Sequence, residues 1–168
     1  MGLFKGIRES KGTEGGIYFK PGNYVVKVER CKEGKKRNGT PFFVAECLIL
    51  KTDVKDDDQM LPGRHAAFFV QFADYPELSL GNVGDFMTVG MQSWFLQHNE
   101  TVPEGFFGTG DTPRVDEVTA DEIVSEENTL SGTIMSLEAY NKPTKENKPF
   151  TRHRWSTLRN HEAYAEWM

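Results

Sequence analysis

The sequence predicts a mainly β domain of five strands, with one long helix between the third and fourth. Three observations predict it. Apolar and polar residues alternate over residues 23–30 and again over 41–50, the period-2 pattern of half-buried strands. Asn38-Gly39, between those stretches, is a strong hairpin signal. The period then changes: Val83, Phe86, Met87, Gly90, Met91, Trp94 and Phe95 recur at spacings of three and four, the stripe of an amphipathic helix over residues 82–97.

Taken in order, residues 1–16 are rich in Gly and Lys with little periodicity and read as a flexible arm ahead of one domain spanning 17–160. In the first strand Tyr24, Val26 and Val28 share one face, and Lys27 and Glu29 the other. Residues 34–39 form a basic turn. The second strand splits into an apolar row, Phe43, Ala45, Cys47 and Ile49, and an opposite row that Glu46 marks as partly exposed. An acidic loop, 53–62, closes on Pro62-Gly63. In the third strand, 64–72, Phe69 shares a face with His65 and Gln71, whereas Phe68 lies with Ala66, Val70 and Phe72, so the Phe69 face is the wetter.

A turn at 73–76 leads to the helix. Pro103, Gly105, Gly108, Gly110 and Pro113 then mark a surface excursion, and Thr119-Ala-Asp-Glu122 reads as a capping box opening a short acidic helix. Together these make an acidic insertion at about 99–128. Residues 130–140 and 150–158 are the closing strands, and 161–168 a short tail, either one helical turn or frayed. Three strands, a helix and two more strands is the arrangement of a five-stranded OB-fold barrel. In that fold the strand 1–2 and strand 4–5 loops flank the oligonucleotide-binding face.

Length and composition fit one domain: 168 residues with 38% hydrophobic and 12% aromatic content are enough for a proper core. No apolar run of about 18 residues suggests a membrane span, and the first residues lack the apolar stretch of a signal peptide. The two cysteines, Cys31 and Cys47, make no CxxC motif and no disulfide framework, so a cytoplasmic protein with reduced thiols is expected.

The charges are unevenly placed. Net charge is −5, yet residues 1–37 hold ten Lys/Arg against four Asp/Glu, residues 38–140 hold four against 18, and residues 141–168 hold six against three. Each basic end carries a hairpin signal, one at 31–39 and one at 141–149. Lys32, Lys35, Lys36 and Arg37 in the first, and Lys142, Lys145 and Lys148 in the second, are candidates to neutralise phosphates. Arg152 and Arg154, two apart on the last strand, project from one face, with Trp155 turned to the core. Phe42, Phe69 and Tyr140 are candidate stacking platforms, because base–aromatic contacts carry sequence-tolerant binding. Two basic hairpins on a β-rich chain point to single-stranded nucleic acid.

Other chemistry has no foothold. The loop at 53–58 lacks the alternate acids, glycine and distant Glu of an EF-hand. His65, His98, His153 and His161 are scattered without zinc-like spacing. No Walker A, GxSxG or HExxH motif is present. Neither an enzyme, a metal nor a cofactor is expected.

The stretch Phe19-Lys-Pro-Gly-Asn-Tyr-Val-Val-Lys-Val, then Lys35-Lys-Arg-Asn-Gly39, then Pro41-Phe-Phe-Val-Ala-Glu46 resembles bacteriophage single-stranded DNA-binding proteins of the OB-fold type. Leu130-Ser-Gly-Thr-Ile-Met and Lys148-Pro-Phe-Thr are similar to their closing hairpin. The resemblance implies sequence-nonspecific coating of single strands in phage DNA replication or recombination, with replication or recombination proteins as partners. It also implies DNA contacts by the basic hairpins and the sheet-face aromatics. The tail departs from those relatives that end in a strongly acidic segment, since it holds only Glu162 and Glu166. Two alternatives stand beside this reading. One is a phage structural or assembly protein whose OB-like barrel binds a protein. The other is a metal-dependent nuclease built on the acidic loop.

Overall fold

A computed structural model describes residues 17–73, 75–143 and 149–168. In chain order it holds β1 (Gly22–Lys35), β2 (Pro41–Thr52), a 3-10 turn (Asp58–Met60), β3 (His65–Gln71), α1 (Pro76–Gln97), α2 (Glu117–Val124), β4 (Ile134–Pro143), β5 (Pro149–Ser156) and α3 (His161–Ala165). The chain is mainly β. Its five strands form one antiparallel sheet in the order β3-β2-β1-β4-β5. No helix among the described residues is long and apolar enough to cross a membrane.

The inward rows are those the alternation marks: Tyr24, Val26 and Val28 from β1, and Phe43, Ala45, Cys47 and Ile49 from β2. β1 changes phase part-way. The β1–β2 register slips between Val28 and Arg30, leaving Glu29 unmatched, so the bulge turns Cys31 into the core. Asn128 secures the re-phased strand. Its Oδ1 accepts the Cys31 N–H at 2.7 Å, and its Nδ2 donates to the Cys31 carbonyl at 2.8 Å.

β1 therefore runs on to Lys35, and the basic turn is shorter than 34–39. Lys36 N–H donates to Thr40 O and Gly39 N–H to Lys36 O, both at 2.9 Å. Gly39 supplies the positive φ, +87°, that the tip requires.

α1 begins at Pro76, six residues ahead of the apolar stripe, because a proline fits the first turn and the exposed Leu78 and Leu80 add nothing to the periodicity. Packing holds it. Phe86 is fully buried, its ring 5.7 Å from Phe43, 5.5 Å from Phe68 and 4.8 Å from Trp155. One such buried side chain contributes about 1.5–3 kcal/mol. Gly90 permits close approach, since a Cβ there would lie 2.6 Å from Leu130 Cδ1. α2 starts earlier than the Thr119 capping box suggests: Asp116 is the cap, accepting the Thr119 N–H at 2.8 Å. The tail is the helical turn α3, with Asn160 as its cap and Tyr164 fully buried.

The sheet order leaves β3 and β5 as its two edges, and side chains bring these edges face to face. Phe68 of β3 lies 4.9 Å from the His153 ring and 5.3 Å from Trp155, both on β5. At one end of this seam Ile17 and Tyr18 run parallel to β3, with Ala67 N–H donating to Ile17 O at 2.8 Å. Phe19, 3% exposed, meets Trp155 edge-on. The other end of the seam is open.

Candidate nucleic-acid interface

The open end is a cleft of about 720 Å³. One wall is Phe69–Gln71 on β3; the opposite wall is Phe150–Trp155 on β5, with Tyr140 of β4 beside it. α1 closes the third side through Leu78, Asn82, Asp85 and Gln92, with Tyr75 ahead of it and Arg114 reaching in from the excursion.

The β4–β5 register explains the aromatic and basic wall. Tyr140 stands opposite Arg152, Glu138 opposite Arg154 and Lys142 opposite Phe150, so all six belong to one face of the hairpin. Arg154 Nη1 donates to Glu138 Oε1 at 2.9 Å, while its guanidinium lies 5.3 Å from the centre of the Tyr140 ring. Arg152 has no carboxylate partner among the described residues. His153 is largely buried at the cleft, and burial pulls its pKa down to about 4, so at neutral pH it is uncharged.

On the β3 wall, Phe69 sits on the wetter face, with His65 and Gln71 exposed beside it. Its ring lies 5.4 Å from Phe42 and 5.9 Å from Tyr18. Lys36 Nζ is 5.9 Å from the Phe69 centroid and donates to Gln71 Oε1 at 2.7 Å. The first hairpin thus delivers one of its cations to the rim of the cleft.

The candidate residues divide accordingly. Phe69, Tyr140, Arg152 and Arg154 come together in the cleft, and Lys36 borders it. Phe42 is corrected: at 8% exposure, with Phe69 against it and Gly34 beneath it, its ring has no open face and serves to support Phe69. Lys32 lies on β1 and pairs with Glu46 of β2 at 2.8 Å. Lys35 falls on the opposite face of β1 from Lys32, and Arg37 is exposed at the hairpin tip. Lys142 is exposed at the end of β4. Lys145 and Lys148 lie outside the described residues.

Sequence reasoning missed Phe150, Tyr75 and Arg114. Phe150 was within reach, since it alternates with Arg152 and Arg154 on one strand face and is 48% exposed. Tyr75, 73% exposed, and Arg114 are brought in by tertiary folding and carry no local signal.

No protein-family model matches this chain, and no curated protein matches it.

Chemically the cleft offers exposed aromatic faces interleaved with guanidinium groups. Among the described residues, no group of three or more His, Cys, Asp and Glu side chains is placed to hold a metal ion. The two thiols take no part: both are buried, and burial raises their pKa values, that of Cys31 to about 12.

Proposed function

We propose that this chain binds single-stranded DNA with little sequence preference, in the cleft between β3 and β5. The observation that carries this reading is the meeting of Phe69, Tyr75, Tyr140 and Phe150 with Arg152 and Arg154 around one open groove. Aromatic rings give every base a stacking surface, and cations along the groove track the phosphates. Duplex DNA hides its base faces inside the stack, so a groove that works by stacking selects single strands.

The fold supports the same reading. The order β3-β2-β1-β4-β5 is that of an OB-type barrel opened between β3 and β5. The Phe68–Phe86–Trp155 cluster bridges that gap at its base. In such a barrel the β1–β2 and β4–β5 hairpins flank the binding face, and Lys36 and Lys142 lie on those two hairpins. The role we assign is to coat and protect single strands during phage DNA replication or recombination, in the host cytoplasm, without chemistry on the DNA.

The test is fluorescence anisotropy with a labelled dT oligonucleotide of about 30 nucleotides, long enough for one such fold, titrated at low and moderate salt against duplex competitor. Binding that survives moderate salt and resists duplex is expected. No binding at low salt would overturn the proposal and leave the cleft as a site for a protein partner.

A further inference from the structure

From residue 65 to residue 141 the chain holds a single Lys or Arg, Arg114, and it stands in the acidic insertion. The fold brings that residue to the cleft. Phe106 packs edge-on against Phe95 at 5.0 Å, and Phe107 does so at 6.3 Å, anchoring the excursion on α1. Arg114 N–H donates to Phe107 O at 3.0 Å, and Val115 N–H donates to Thr88 Oγ1 at 3.2 Å. The guanidinium then lies across α1 at Gly84, where a Cβ would come 3.0 Å from Nη1. Nη1 donates to Asp85 Oδ1 at 2.7 Å.

Both partners line the cleft, with side chains 43% exposed for Arg114 and 65% for Asp85. An ion pair that exposed adds little to stability, and the excursion already has its aromatic and backbone anchors. A carboxylate on the wall of a groove for a polyanion, moreover, works against binding unless something covers it.

We infer that Arg114 is a phosphate contact carried to the cleft by the acidic excursion, and that Asp85 is its resident competitor. An entering phosphodiester takes the guanidinium from Asp85, because the planar fork matches a phosphate as well as it matches a carboxylate. Arg114 on the α1 side and Arg152 on the β5 wall then hold the strand from two sides of the cleft. The inference rests on the reading of the cleft as the strand site.

The experiment is the salt dependence of dT-oligonucleotide anisotropy for the wild type, Asp85→Asn, Arg114→Gln, Arg114→Lys and Arg152→Ala, each checked by a thermal melt. Arg114→Gln is expected to weaken binding and to lower the salt slope by less than Arg152→Ala does, because Asp85 already compensates the guanidinium in the free protein. Arg114→Lys, which keeps the charge and loses the fork, falls between it and the wild type. Asp85→Asn is expected to tighten binding, since it removes the competitor. If Asp85→Asn weakens binding as Arg114→Gln does, the pair is a brace and the inference is overturned. An unchanged affinity and slope in Arg114→Gln, with Arg152→Ala impaired, overturns the inference and leaves the cleft standing. If neither arginine matters, the reading of the cleft itself fails.

Discussion

The Arg154 guanidinium lies 5.3 Å from the centre of the Tyr140 ring while donating to Glu138. Two groups read as separate contacts are thus engaged with each other, and the charge of Arg154 is already compensated. Arg152, opposite Tyr140 on the neighbouring strand, has no such partner among the described residues.

The two arginines should therefore separate on mutation. Arg152→Ala is expected to reduce the salt slope of DNA binding by about one. Arg154→Ala should change it less, because its loss also releases Glu138. Salt-dependent anisotropy of both variants checks this, and equal slopes would contradict it.

Phe69 and Phe42 touch but should fail in different ways. Phe69→Ala removes a partly exposed stacking face, so binding should fall by about 1–3 kcal/mol with a nearly unchanged salt slope. Phe42→Ala empties a buried site, and a loss of about 3–5 kcal/mol in stability is expected. Denaturant melts beside binding curves distinguish the two. A Phe69→Ala protein that melts as Phe42→Ala does would make Phe69 a core residue.

His153 sets a pH dependence of stability. Its folded pKa, about 4, lies below the ordinary value of 6.5. Between those values the unfolded chain binds the proton and the folded chain does not, so stability rises with pH across that window. The stabilisation is complete above about pH 6.5 and lost as pH falls to about 4, at most about 3 kcal/mol. Urea melts from pH 4 to 7 should show that slope, and His153→Gln should flatten it.

Asn128 should matter far beyond its place in a loop. It holds φ at +46° and satisfies both backbone groups of Cys31. Asn128→Ala loses those bonds and strains the backbone, so a loss of about 2–4 kcal/mol is expected. Asn128→Gly relieves the strain alone and should recover only part of it. Identical melting of the two variants would show that the backbone is unstrained.

Much of the sheet is legible in the sequence because alternation is a local signal. The faces of Phe43, Ala45, Cys47 and Ile49, of Phe68 against Phe69, and of Arg152 with Arg154 all follow from it. What escapes is set by distant partners. Cys31 enters the core through a bulge that Asn128 stabilises from 97 residues away. Phe42 loses its open face to Phe69, which reaches it through the β2–β3 pairing. Arg114 belongs to the cleft only because Phe106 and Phe107 fix the excursion on α1. Proline at the start of α1 hid six residues of helix behind a turn signal.

The pairing of Ile17 with Ala67 bears on whether β3 can accept a further strand. A bare sheet edge is a template on which another chain adds a strand. On β3 the outward N–H of Ala67 is taken by Ile17, and the carbonyl of Gln71 by the Ser79 hydroxyl. At those two groups the edge has nothing left to offer a strand from a second copy of the chain.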